Sequence, residues 1–133
     1  MDDVKVNRIL GTEEVAATDG TWAQCTRRGN LIFISGQVAL DSKDNLVGKN
    51  DFEAQAKQTL KNLKTMLKAG GASLKDLMMI TVFVTDMNNR PVFAKVRDSY
   101  FRENPPASTM VEIKRLVMDE LMIEVNGIAV LSE

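Results

Sequence analysis

The sequence predicts an α+β domain of order ββαβαββ, one sheet with both helices packed on the same face. Three observations carry this. Two segments repeat apolar residues at helical spacing, five others read as strands, of which Leu77 to Thr85 is rich in β-branched residues, and strands alternate with helices through the middle of the chain. That alternation calls for right-handed crossovers over one side of a sheet. At 133 residues the chain, residues 1–133, fits a single domain with one core.

The elements follow in order. Trp22 to Arg27 and Leu31 to Ser35 read as a hairpin around Arg28-Gly29-Asn30, where Gly and Asn tolerate positive φ. Asp41-Ser42-Lys43-Asp44-Asn45 is a polar turn, because Asp, Asn and Ser bond their own backbone. Phe52, Ala56, Leu60, Leu63 and Leu67 form the apolar stripe of a helix over 51–69, with Lys57, Lys61, Lys64 and Lys68 mostly off it. Asn50 and Glu53 are placed for a capping box, and Gly70-Gly71 supplies the left-handed residue that stops the helix.

Leu77 to Thr85 is almost continuously apolar, the pattern of a central strand covered on both faces. A second helix is expected at about Pro91 to Arg102, with Val92, Phe93, Val96 and Tyr100 as its stripe; Pro105-Pro106 forbids its continuation. Thr109 to Leu116 and Leu121 to Leu131 complete the sheet around a short acidic turn at Asp119 and Glu120. The last strand places Ile123, Val125 and Ala129 on one side and Met122, Glu124, Asn126, Ile128 and Val130 on the other. Two helices cover only one face, so the other apolar face is expected to meet further subunits.

Composition narrows the chemistry. Seventeen Lys plus Arg against eighteen Asp plus Glu give a net charge of -1, so no basic field holds a polyanion and no nucleic-acid partner is expected. No apolar stretch approaches the roughly 20 residues needed to span a bilayer, and no charged n-region with an apolar h-region opens the sequence, so no secretory leader is expected. No membrane partner is expected, and a cytoplasmic protein is read. Cys25 is the only cysteine, which suits a reducing compartment. Without histidine the chain builds no Ser-His-Asp triad, Cys-His dyad or His-ligated metal site, so no metal and no cofactor is expected. Eight methionines are read as gap-filling packing residues.

Asn30-Leu31-Ile32-Phe33-Ile34-Ser35-Gly36-Gln37 resembles the segment after the first hairpin of the RidA/YjgF family. Gln55 with Leu60 to Leu67 is similar to its first helix, Thr81 to Met87 to its third strand and following turn, and Val111-Glu112-Ile113, Ile123-Glu124-Val125 and Ile128-Ala129-Val130 to its final strands. The resemblance runs from about Gly20 to Val130. It implies a chorismate-mutase-like fold, a barrel-cored homotrimer and ligand clefts between subunits. It also implies hydrolysis of reactive enamines and imines, such as 2-aminoacrylate, to keto acids and ammonia. The family site uses an Arg in a Pro-Ala-Arg-Ser-like stretch, a Glu on the last strand, a Tyr near the hairpin start and the backbone around Ser-Gly-Gln. A guanidinium fork grips a carboxylate bidentately, and a Glu places water or moves a proton.

Ser35, Gly36, Gln37 and Glu124 match that pattern, but Pro106-Ala107-Ser108-Thr109 puts Ser108 in place of the Arg and Gly20-Thr21-Trp22 puts Trp22 in place of the Tyr. The carboxylate anchor is therefore lost. Glu124 is the catalytic candidate; structural pairing, for instance with Lys114, is its alternative. Trp22, Ser35, Gly36, Gln37 and Ser108 are expected to line the ligand cleft, with Ser108 facing it opposite Glu124. Arg97, more than Arg115, is the candidate to replace the guanidinium. Trp22 has packing as its alternative role, Gly36 a simple strand-end turn, and Cys25 is read as buried and inert. The expected function is hydrolytic deamination of an imine or enamine. Its rival is a non-catalytic trimer that holds a small metabolite or a partner protein. A ribonuclease reading finds no RNA platform or proton relay in the sequence.

Overall fold

The computed structural model describes residues 5–132. Its strands are β1 (Val6–Ile9), β2 (Cys25–Arg28), β3 (Leu31–Val38), β4 (Leu77–Val84), β5 (Ala107–Glu112) and β6 (Ile123–Val130), with helices α1 (Phe52–Ala69) and α2 (Arg90–Phe101). They form one mixed sheet of order β1-β2-β3-β6-β4-β5. Only β4 and β5 pair in parallel. The last strand inserts antiparallel to both β3 and β4, so those two run the same way with α1 as their connection.

The core lies between the helices and one sheet face. Leu60, Leu63, Met66 and Leu67 of α1 and Phe93 and Val96 of α2 bury against Ile32, Ile34, Ile80, Val82, Ile123 and Val125. Each such side chain contributes roughly 1.5–3 kcal/mol on burial. Among the described residues no helix covers the opposite face. Phe33, Met79 and Ile128 are 47%, 39% and 37% exposed there, which meets the expectation of one bare apolar face. The β4 strand is therefore covered on one side only, and its continuous apolar run reflects the bare face as much as the core.

Other expectations shift. The sheet has a sixth strand, β1, which no pattern in the first twenty residues announces and which pairs along β2. Residues 22–24 do not belong to the hairpin ladder, which starts at Cys25. Helix α1 is capped by Asp51, whose side chain accepts from the Ala54 amide at 3.1 Å, rather than by Asn50. Asn50 instead takes a left-handed φ of 58° to turn the chain into the helix. The last two strands are not a hairpin, because β4 lies between them. No helix among the described residues is long and apolar enough to cross a membrane.

Candidate functional site

The β3–β6 ladder breaks where the sequence reads Ser-Gly-Gln. Ile34 pairs with Gly127 and Gln37 with Val125, so Ser35 and Gly36 together stand opposite Asn126. A bulge of this kind bends the strand and re-aims its side chains. Ser35 Oγ donates to the Ala23 carbonyl at 2.6 Å, and the Ser35 amide donates to the Gln24 carbonyl at 3.0 Å. Gln37, 2% exposed, donates through Nε2 to Gln24 Oε1 at 2.8 Å and to the Ser35 carbonyl at 3.1 Å.

Beside the bulge, Glu124 points from β6 onto the face that the helices leave bare, in register with Val38 and Phe83. Its carboxyl lies against Gly36: a Cβ there would stand 2.5 Å from both Cδ and Oε2 of Glu124. No hydrogen-bond donor or cation among the described residues pairs with this carboxylate, and burial raises its pKa above the ordinary range. The proposed partner Lys114 lies past the end of β5 and not across a ladder, because β5 and β6 are not neighbours.

Glu124, Ser35, Gly36, Gln37 and Trp22 line one cavity of about 650 Å³. Its wall is the loop 15–22, wound on itself by Thr18 Oγ1 donating to the Trp22 carbonyl at 2.8 Å and by Thr21 donating to Asp19 through both amide and hydroxyl. Trp22 is 49% exposed, so it borders the cavity more than it fills the core. The far lip is the turn at Asp41, whose Oδ1 accepts the amides of Lys43 and Asn45, both at 2.9 Å. Asn62 of α1 ties that lip down by donating to the carbonyls of Val38 and Leu40.

Ser108 lies elsewhere. It pairs with Ile80 on the helix-covered side of the sheet, whereas Glu124 pairs with Phe83 on the other side. Within one chain the two do not face each other, contrary to the sequence reading. Ser108 shares a second cavity of about 480 Å³ with Arg97 and Arg102. The Arg97 guanidinium stands 5.8 Å from the centre of the Phe93 ring, while Asp98 is taken by Arg102 through a 2.7 Å ion pair.

The endoribonuclease L-PSP family matches residues 12–131. A RutC family protein of Pyrococcus horikoshii is 36% identical over 124 residues, covering 93% of this chain and 98% of the relative. The 2-iminobutanoate/2-iminopropanoate deaminase of Salmonella typhimurium is 34% identical over 128 residues, 94% and 98% of the two chains. The crystal structure of the YjgF gene product from Escherichia coli superposes with a TM-score of 0.83 at 34% identity, covering 93% of this chain and 98% of that one.

The chain belongs to the RidA/YjgF family.

In this RidA/YjgF chain the fold brings five of the seven candidate residues to one cavity and sends Ser108 and Arg97 to another. Arg115 lies past the end of β5 and lines neither cavity. Cys25 is buried, burial pushes its thiol pKa up, and it lines neither cavity. Sequence reasoning missed Asp19, Gln24, Asp41, Asp44, Asn62 and Val117, which also line the cavity of Glu124. The turn composition at 41–45 was the one available signal, and it speaks of backbone conformation and not of a ligand. Among the described residues no three acidic or cysteine side chains converge as metal ligands.

Proposed function

We propose that this protein hydrolyses reactive imines or enamines to carbonyl compounds and ammonia, in clefts completed by neighbouring copies of a homotrimer. The observation that carries the reading is Glu124: a half-buried carboxylate, unpaired among the described residues, laid against the Gly36 backbone inside a cavity of ligand size. Desolvation holds its proton more tightly than usual, which suits a group that takes a proton from water and returns it to a leaving nitrogen. Ser35 and Gln37, fixed by their own hydrogen bonds, give the cavity a rigid polar floor. A relative is named 2-iminobutanoate/2-iminopropanoate deaminase, and its chemistry is of this class.

The bare face with Phe33, Met79 and Ile128 supports the trimer, because a soluble monomer rarely leaves a contiguous apolar surface open. Two separate cavities, one holding Glu124 and the other Ser108 and Arg97, support a shared cleft, in which Ser108 and Arg97 of one copy approach Glu124 of the next. Ammonia release from an imine generated in situ, compared with Glu124→Gln, tests the reading. Acceleration over the uncatalysed rate that the variant loses is the expected result; equal rates with and without protein would refute it. The second reading, a trimer that binds a metabolite without turning it over, draws on Ser108, whose neutral hydroxyl cannot grip a carboxylate as a guanidinium does.

A further inference from the structure

Trp22 is the most exposed aromatic side chain among the described residues, on a backbone that is held in place. Thr18 Oγ1 donates to its carbonyl at 2.8 Å, and Thr21 donates to Asp19 through both amide and hydroxyl. Its chain neighbour Ala23 lines a hollow on the bare face together with Phe33, Met79 and Ile128. The indole therefore stands at the margin of the apolar surface that calls for other copies of the chain, and a large aromatic half in water at such a margin calls for a partner.

The Ser108 cavity is a socket of matching chemistry. Ala94, Phe101, Pro105 and Pro106 give it apolar walls. Its Asp98 is gripped by Arg102 through three hydrogen bonds, at 2.7, 3.0 and 3.1 Å, and no carboxylate pairs with Arg97 among the described residues. Arg97 is half-buried and already stands 5.8 Å from the centre of the Phe93 ring. A guanidinium is flat, weakly hydrated and stacks on aromatic faces. Val117, 84% exposed on the Glu124 cavity, is apolar too but offers a guanidinium nothing, whereas an indole face attracts it.

Strand β5 joins the two surfaces. It is the last strand of the sheet, and five of its six residues are exposed. Ala107, Thr109 and Val111 pair with Met79, Thr81 and Phe83, which carries the bare face out to the edge where Ser108 lies. A copy that covers the bare face reaches the socket around that edge.

We propose that the Trp22 indole of one copy seats in the Arg97 socket of the next and stacks on that guanidinium. The inference rests on the homotrimer proposed above and names the pair that sets its register. A knob on one surface and a socket on another make a heterologous contact, the kind that closes into a ring. Trp and Arg are the residues that dominate interface energetics when buried together. The pair then forms one wall of the shared cleft, since Trp22 and Glu124 line the same cavity.

Trp22 is the only tryptophan, so the emission of the full-length protein reports this contact. Arg97→Ala should shift that emission to the red, raise its quenching by acrylamide severalfold and weaken subunit association about tenfold. Arg97→Lys keeps the charge but not the flat face, so it should recover only part of each effect. Mixed oligomers locate the partner. Arg97→Ala chains keep the fluorophore, whereas Trp22→Ala chains keep the socket and lack the fluorophore. Oligomers holding both, isolated through a different tag on each chain, should emit further to the blue than Arg97→Ala alone, because only a contact between copies is rebuilt that way. An unshifted mixed oligomer, or an Arg97→Ala trimer with the native spectrum, overturns the inference and leaves the trimer standing. A native protein of single-chain mass by light scattering overturns the trimer and the inference together.

Discussion

Gly36 and Glu124 occupy each other's space: the position where a β-carbon would sit on residue 36 is 2.5 Å from the Glu124 Cδ and Oε2. The glycine is there for the carboxylate, since its φ lies outside the left-handed region and any residue could adopt it. The bulge brings the backbone to the carboxyl, and the missing side chain leaves room for it.

Gly36→Ala should therefore displace the flexible end of Glu124 at a cost of no more than about 1 kcal/mol in stability and remove most imine hydrolysis. Adding Glu124→Ala to it should restore stability but not activity. Urea denaturation of the two single variants and the double variant measures the coupling; additive losses would show that the clash is relieved by other means.

Glu124 also makes stability depend on pH. Its folded pKa is raised by desolvation, so between the unfolded and folded values the folded state holds the extra proton and stability falls as pH rises. The contribution is full below the ordinary carboxylate range and lost above the raised value. Glu124→Gln should accordingly be more stable than the native protein at pH 7 and equal to it near pH 4, while hydrolysis drops by about 100-fold or more. Thermal melts across pH check the first claim and ammonia release the second.

Phe33 is 47% exposed in the middle of the bare face. Phe33→Glu should leave a charged residue in any interface built on that face and shift the mass in solution from about three chains toward the single-chain 14.8 kDa. Light scattering decides, and an unchanged oligomer would move the interface elsewhere.

Ser108→Arg introduces a guanidinium beside Arg97 and Arg102. If one copy's β5 edge approaches the Glu124 cavity of the next, the variant should gain rate on 2-iminopropionate, and Glu124→Gln in the same protein should remove the gain. A Ser108→Arg protein with unchanged rates would separate the two cavities in the assembly as they are separated in the chain.

Gln55 is fully buried and bonds three backbone groups: the carbonyls of Gly48 and Glu120 through Nε2 and the Met122 amide through Oε1. Gln55→Leu should cost about 3 kcal/mol, because it leaves those groups unsatisfied in the interior. It should also loosen the approach to Glu124, two residues beyond Met122. Denaturant titration and hydrogen exchange of the Met122 amide check both.

How much was legible follows from periodicity. Helix α1 was, because Leu60, Leu63 and Leu67 repeat at its pitch; its cap was misread by one residue because Asn50 and Asp51 are both good caps, and only the backbone turn at Asn50 chooses. Strand β1 has four residues with a mixed burial pattern and carries too little periodic signal to be seen. Glu124 was legible as an anomaly, a carboxylate among apolar strand residues, and the Ser-Gly-Gln segment by resemblance. The positions of Asp19, Asp41 and Asp44 were not, since a polar turn looks the same whether it borders water or a ligand.

By itself the sequence determined the two helices and five of the six strands, the two-faced sheet with only one face covered, and the absence of histidine chemistry, since these depend on residue identity and spacing along one chain. Tertiary structure decided which candidates meet. Strand β6 slots between β3 and β4 and puts Glu124 beside Gly36, while the parallel pairing of β5 turns Ser108 to the opposite face. Strand order and register are long-range choices made by burial of the whole sheet against its helices, and a one-residue step in either reverses the face that a side chain reaches.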